Sequence, residues 1–568
     1  MSKKYVLLLV VVFCLACVTG MMAQKNSNVV TNTQVVKPIF GVTAPLRDLV
    51  KNSPRDLPFG FHQAPPVQQT KPSQLLWNAK HFNYAAQKDA LAQSSNPAAD
   101  TIPTVEAQWL GVGIGFFGYS VPDAPTDGNL SIGDATKANP PGPCQVVQWV
   151  NVSFAIFDCA GNNILYMGNH SNLGKVLWSS GPCSSTNSGD IIAQYDKMAY
   201  RWVLMQPRFT APYYDCFAIS QTSDATGAYY TYQFPTLNNS VDFPDYPKVG
   251  VWPNGYYVSH NDFPNLQSFA GVMLCGYDRV KMLAGDNSAT GSCVLDNSNG
   301  TLFDDSFLCA DVDDANAPPT GIDPICMGSV DNFSTDTNEY YYPVHYVPGS
   351  SISVSCINGA CKIPVMAYSD AAGTAPEPGG NVIDTLSDRL MYRLAYRILP
   401  SPLPNKTVRD NRKQDWLISH AVNNGGVAAV RWYELQAPID NTVPAVYQQS
   451  TYTNGNDGIH RFMSSLSRDR AGNIAMSYTD TSASVFPTIG YTGRAGNDPI
   501  NTMGADTQLL PGIGSQTDTS NRWGDYYNMS LSNDGCTFVT TGEYYQSTAS
   551  FHWSTQIGKL KFDSCTPQ

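Results

Sequence analysis

The chain has 568 residues, and 34 Lys+Arg against 46 Asp+Glu give it a formal net charge of -12. An acidic body of this kind argues against nucleic acid or an anionic membrane surface as a partner, because both attract cationic protein faces. Charged residues at 14%, aromatics at 11%, 45 Gly and 39 Pro exclude a long-helical or disordered chain and suit short strands joined by tight turns.

Met1-Ser-Lys-Lys is followed by an uncharged apolar run from Tyr5 to Val18, the pattern of a secretory leader. The run is too short to span a bilayer, which takes about 20 apolar residues. Cleavage near Ala23 defines a leader of residues 1–23. A lipobox wants Leu three residues before its Cys, and Cys14 stands in that place before Cys17. A secreted or periplasmic product is therefore expected in preference to a lipid-anchored one. No later stretch is apolar enough to cross a membrane.

Beyond Cys14 and Cys17, twelve of the 14 cysteines remain. In an oxidising compartment an even set reads as disulfides. Pairing near neighbours gives Cys144–Cys159, Cys183–Cys216, Cys275–Cys293, Cys309–Cys326, Cys356–Cys361 and Cys536–Cys565. No CxxC pair repeats and the eight histidines are scattered, so no zinc cluster is expected.

Residues 24–107 are rich in Gln, Asn, Pro, Ala and Ser, with no sustained periodicity apart from a short helical pattern around Leu75 to Leu91. They read as a poorly structured, flexible N-terminal extension, with a folded prodomain as the alternative. From 108 to 565 the texture changes to strand-length apolar runs divided by Gly, Asn, Asp and Pro turns. Runs at Cys144–Asp158 and Ile164–Tyr166 come first. Ile191–Asp196, Arg201–Gln206, Cys216–Thr222 and Tyr229–Phe234 then make four strands in one short unit. Further units open at Tyr246, Tyr340, Arg389, Arg461 and Arg522. One such unit cannot close its own core, and stacking in a ring is the usual remedy. The expected fold is an all-β propeller of six or seven blades; the rival is a pair of β-sandwiches.

The motifs Ser188-Gly-Asp-Ile-Ile-Ala-Gln-Tyr-Asp, Asp245-Tyr-Pro-Lys-Val-Gly-Val-Trp-Pro, His460-Arg-Phe-Met and Arg522-Trp-Gly-Asp-Tyr carry a resemblance. The region resembles secreted bacterial β-propeller proteins of no established activity, similar in style to sialidase and Asp-box (BNR-like) propellers. Ser467-Arg-Asp-Arg-Ala-Gly and Ser532-Asn-Asp-Gly-Cys-Thr-Phe look like Asp boxes that depart from the S-x-D-x-G spacing by one residue. The resemblance implies a structural role for those turns.

Propeller ligand sites lie where innermost strands begin, at one mouth of the channel. The polar residues placed there are Asp190, Asp245, Arg389, Arg461, Arg522 and Asp525. Three arginines from three blades could converge on a carboxylate, as the triad of sialidases does; alternatively, these groups pair with one another across blade junctions. A sialidase-like site also needs a Glu-activated Tyr. Glu543-Tyr544-Tyr545 supplies the types, and in a strand Glu543 shares a face with Tyr545. Asp311, Asp313 and Asp314 offer hard oxygens for calcium; a solvated acidic turn pinned by Cys309–Cys326 is the alternative. No cofactor is required, and no G-x-S-x-G elbow, P-loop or dinucleotide fingerprint occurs. The expected function is a binding or scaffold module for a glycan, peptide or cell-surface partner. The alternative is a glycoside hydrolase using the Arg and carboxylate cluster.

Overall fold

Seven blade sheets, antiparallel except where Asp311–Val312 pairs parallel with Ala395–Tyr396 and each led by a strand beginning near a common axis, make up the computed structural model together with one two-stranded hairpin. It describes residues 29–30, 33–52, 88–95, 102–116, 119, 121 and 125–567, apart from 167–175, 268, 297–303, 315, 331–334, 357–360, 371, 380–381, 400–411 and 442. The leader and most of the segment around Leu75 to Leu91 lie outside these residues. The innermost strands are Gly128–Asp134 (blade 1), Ile192–Asp196 (blade 2), Asp242–Trp252 (blade 3), Asp304–Cys309 (blade 4), Met391–Leu399 (blade 5), His460–Arg468 (blade 6) and Met529–Leu531 (blade 7). Each innermost strand packs beside the next, and that of blade 7 meets that of blade 1, so the ring is closed. The protein is a seven-bladed β-propeller.

Closure is made by chain ends. Thr104–Leu110 pairs antiparallel with Trp553–Lys561 as the outer strand of blade 7, so strands from distant parts of the chain share one sheet and latch the ring. The boundary expected at 108 falls inside this strand. Two units also open earlier than the sequence reading placed them. Blade 1 begins at Gly128, in Gly-Asn-Leu-Ser-Ile-Gly-Asp, where glycines and polar residues hide the strand. Tyr340 lies in the third strand of blade 4 (Thr335–Val347), not the first, because the inner strand's Asp304-Asp-Ser start carries little apolar signal.

Composition did not foresee what the described parts of residues 24–107 do. Val29–Val30 pairs with blade 4, Thr33–Val36 with blade 3 and Ile39–Val42 with blade 2, each on the outermost strand. Helix α1 (Leu46–Asn52) follows. Ala92 bridges Thr451 in blade 5, and the Gln93 amide donates to the Met503 carbonyl at 2.7 Å. The described strands of this stretch thus cover exposed sheet edges, which would otherwise template pairing with another chain.

Central strands are buried on both faces, because every blade is sandwiched between two others. This is why their sequences read as nearly continuous apolar runs rather than a clean alternation. Trp149, Trp202, Trp252, Trp416, Trp432 and Trp553 are among the largest fully buried side chains, each contributing on the order of 2–3 kcal/mol by burial. Close blade contact also explains two glycines. A Cβ on Gly133 would lie 2.5 Å from the Tyr195 ring, and one on Gly250 would lie 2.6 Å from the Cys309 carbonyl.

The hairpins after innermost strands turn on aspartates. Asp469 Oδ1 accepts from the amides of Ala471 (2.8 Å) and Asn473 (2.9 Å). Asp534 Oδ1 accepts from those of Cys536 and Thr537. All six disulfides form as expected from spacing, as befits a chain folded in an oxidising compartment. Cys275 and Cys293, like Cys309 and Cys326, are directly opposed on paired strands. No helix among the described residues is long and apolar enough to cross a membrane.

Candidate functional site

Strained backbone marks the channel mouth. Asp127, Asp190, Tyr246, Ser306 and Met463 take φ of 44°, 49°, 54°, 51° and 51°, at or just before the innermost strands of blades 1, 2, 3, 4 and 6. Such left-handed residues cost about 1–3 kcal/mol each and persist where the surroundings fix them. In blades 3, 4 and 6 the positive φ sits inside a bulge that shifts the strand register, re-aiming side chains toward the axis.

Carboxylates from three blades meet here. The Asp525 amide of blade 7 donates to Asp127 Oδ1 of blade 1 at 2.9 Å. Asp127 Oδ2 is buried with no hydrogen-bond partner among the described residues. Burial, then the charges of Asp525 and Asp190, hold the Asp127 carboxyl well above its ordinary range. Burial also raises Asp190, against the opposing pull of Lys248.

Lys248 of blade 3 stands beneath them. Its ammonium lies 3.5 Å from the Tyr246 ring centre and 3.7 Å from that of Tyr526, and donates to the Pro247 carbonyl at 3.1 Å. Burial brings its pKa down to about 8, although Asp190, Asp127, Asp525 and Asp245 all oppose this. Arg522 completes the cluster through an ion pair with Asp525. Side-chain exposure falls inward, from 24% at Asp388 and 14% at Arg522 to 4% at Asp525.

The three arginines do not form a triad. Arg389 is held bidentate by Asp388 at 2.9 and 3.0 Å and lies 5.1 Å from the Tyr246 ring centre. Arg461 is enclosed elsewhere by Asp457 (2.7 Å), Asp506 (3.0 Å) and Asp480 (3.1 Å). It shares none of these partners with Arg389 or Arg522. Each guanidinium is thus paired with a carboxylate near it in sequence, so the convergence expected from the sequence gives way to ion pairing at each position.

Glu543 also finds another partner. Its Oε2 accepts from Thr126 Oγ1 at 2.6 Å and from the Tyr527 hydroxyl at 2.9 Å, while Tyr545 donates to Gln516 Oε1 at 2.9 Å. Burial holds Glu543 well above the carboxylate range. A hairpin between blades 4 and 5 (Thr374–Pro376 with Val382–Asp384) brings Glu377 alongside. Glu377 Oε2 accepts from the Gln516 amide at 3.0 Å, and burial pushes its pKa up to about 7.

The acidic loop proposed for calcium faces cations. Arg393, on the innermost strand of blade 5, pairs with Asp311 at 2.6 Å and also with Asp313. Lys197 of blade 2 reaches Asp313 at 2.8 Å, and Arg397 binds Asp314 at 2.9 Å. Asp311 and Asp313 are 1% exposed, so the alternative of a solvated acidic turn does not hold for them, and each of the three aspartates has a cationic partner in Arg393, Lys197 or Arg397. The cluster is a plug: Arg393 Nε donates to the Met529 carbonyl of blade 7 at 3.0 Å, and Asp311 Oδ1 accepts from the Val251 amide of blade 3 at 3.2 Å.

One His, Cys and carboxylate grouping occurs among the described residues, Asp215 with His260 and Cys275. Cys275 is tied to Cys293 and offers no thiolate. Asp215 instead pairs with His260 Nε2 at 3.0 Å and accepts from the Tyr277 hydroxyl.

Asp127, Lys248, Tyr246 and Tyr526 were missed from the candidate set. Lys248 and Tyr246 lie within the quoted Asp245-Tyr-Pro-Lys-Val motif, but only the bulge turns them inward. Asp245 itself is buried within the cluster and contributes to the field at Lys248.

No family model and no curated protein matches the chain. Among solved structures, it is similar to a thermostable family-43 glycoside hydrolase (11% identity, 67% of this chain and 94% of that one, TM-score 0.28). It is also similar to the WD40 domain of SCAP from fission yeast (9%, 75% and 81%, TM-score 0.30). A third is an exo-beta-1,3-galactanase from Phanerochaete chrysosporium (8%, 80% and 99%, TM-score 0.26). Likenesses this slight carry no argument about activity.

Proposed function

We propose that the protein is a secreted binding module that takes a neutral, hydroxyl-rich ligand, a glycan, at the channel mouth. The observation that carries this reading is the convergence of Asp127, Asp190 and Asp525 from three blades, with Asp127 Oδ2 left without a partner among the described residues. Asp388 and Arg522 form a rim of acceptors and donors suited to sugar hydroxyls. Asp127, Asp190, Lys248 and Asp525 form a buried floor that fixes the rim.

The arrangement supports binding over hydrolysis. A sialidase-like reaction needs uncommitted arginines, and Arg389, Arg461 and Arg522 are all paired. Hydrolysis by two carboxyls needs a reacting bond between them, yet Asp127, Asp190 and Asp525 are at most 7% exposed. The test is a glycan array with calorimetry on the mature protein, beside Asp190→Asn and Arg522→Ala, with chromogenic glycosides assayed in parallel. Saturable glycan binding lost in both variants, without turnover, is expected. Turnover abolished by Asp190→Asn overturns the reading in favour of an enzyme, and binding indifferent to both substitutions removes the mouth as the site.

A further inference from the structure

On the face opposite the mouth, where innermost strands end, blades 5 and 6 enclose a cavity of about 140 Å³. Leu399, Glu434, Gln448, Tyr447, Arg468 and Arg494 line it, together with Ile500. Arg494 is 2% exposed. Its Nη2 donates to the carbonyl of Asp498 at 2.8 Å, but it has no carboxylate partner, and its buried Nε has no hydrogen-bond partner, among the described residues. Arg468 leaves its Nε unpartnered in the same way, although it pairs with Glu434 at 2.8 Å and with Asp415 at 3.2 Å.

Arg494 feels the charges of Glu434 and Asp498 without a direct ion pair to either among the described residues, and Glu434 is already paired with Arg468; a buried guanidinium so incompletely paired is costly unless something anionic completes it. The two arginines with unused N–H groups match a carboxylate, whose oxygens accept from planar donors. The rim is of another kind: Tyr447 is 49% exposed and Ile500 55%, and the Lys413 ammonium lies 5.7 Å from the Tyr447 ring centre. An aromatic face beside a cationic floor suits a ring that is apolar on one side and carries one carboxylate. A cavity of similar size accepts a single six-membered ring.

We infer that this pocket binds the carboxylate of an acidic sugar, a hexuronate residue, with Arg494 and Arg468 as its anion donors and Tyr447 as its ring platform. Burial, opposed by Arg468 and reinforced by Glu434, raises the Asp415 carboxyl above its ordinary range. The site is separate from the mouth and does not depend on the reading given above.

The test is calorimetry on the full mature protein with galacturonate and glucuronate, beside galactose, galacturonate methyl ester, acetate and N-acetylaspartate. Uronate binding at least about tenfold tighter than that of the neutral sugar and the ester is expected, a difference of about 1.4 kcal/mol. Arg494→Gln abolishes it, with near-UV circular dichroism reporting the fold. Tyr447→Ala, at an exposed position, weakens uronate binding several-fold while leaving the fold intact. Equal affinity for galactose and galacturonate overturns the inference, as does uronate binding unchanged in both variants. Tighter binding of N-acetylaspartate than of either uronate assigns the pocket to peptide carboxylates and likewise overturns it. Asp190→Asn is expected to leave uronate binding unchanged, so the mouth and the pocket fail independently.

Discussion

Two ionic clusters near the channel axis solve the same problem in opposite ways. The plug sets Asp311 and Asp313 against Arg393 and Lys197, two charges of each sign in direct contact. Although burial pushes Asp313 up, Arg393 and Lys197 hold it below the carboxylate range, while Asp311 stays raised by burial against the same two cations. The mouth sets Asp127, Asp190 and Asp525 against Lys248 and Arg522, and there burial wins: Asp127 and Asp190 rise and Lys248 falls. Ion pairs on both aspartates make the plug a structural joint, whereas the mouth leaves Asp127 Oδ2 without a hydrogen-bond partner among the described residues.

The sharpest break between the two comes from removing one cation at a time. Arg393→Met strands Asp311 and Asp313 and is expected to cost about 3–5 kcal/mol, read by urea unfolding. Lys248→Met, beneath carboxyls that already retain protons, is expected to cost about 1–3 kcal/mol; if it costs as much as Arg393→Met, the contrast is lost.

Acidity supplies the next test. Asp127 has a raised folded pKa, so between its unfolded and folded values the native state holds a proton that the unfolded chain has released. Its stabilising contribution is full below the unfolded pKa and is lost as pH rises through the folded one. Asp127→Asn is therefore expected to flatten the decline of stability toward alkaline pH. Lys248 acts the other way: its folded pKa of about 8 lies below the usual lysine value, so its burden on the fold is relieved as pH rises from about 8 to about 10. Thermal unfolding across pH 5–10 checks both slopes; Asp127→Asn leaving the profile unchanged contradicts a protonated mouth.

The smallest effect is expected at Glu543→Gln. A carboxyl held neutral by burial and an amide present similar shapes to Thr126 and Tyr527, so the change is expected to stay within about 1 kcal/mol. A much larger loss, measured by the same unfolding assay, shows that Glu543 is ionised.

Some of the site was legible before the fold. Asp190, Asp525 and Arg522 were found because polar residues just ahead of a strand-length apolar run mark where an innermost strand begins. The arginine triad misled because residue type says nothing about saturation. Asp388, Asp457 and Asp525 stand one, four and three residues from Arg389, Arg461 and Arg522, and that proximity was the available sign of pairing. Asp127 was invisible because it precedes a Gly-rich strand with little apolar signal, and Lys248 because a backbone bulge determines its direction.

The sequence by itself determined what depends on near neighbours, recurrent strand runs and aspartate turns, and it suggested the six cysteine pairs, whose partners lie 5 to 33 residues apart, without fixing their connectivity. Only the tertiary structure decided the blade count, the annexing of residues 29–42 as edge strands and the partner of every buried charge. The reason is distance along the chain. Closing the ring joins Thr104–Leu110 to Trp553–Lys561, and the mouth joins Asp525 to Asp127 across 398 residues. Such contacts leave no local pattern, because their free energy comes from burial shared among blades and not from the residues on either side.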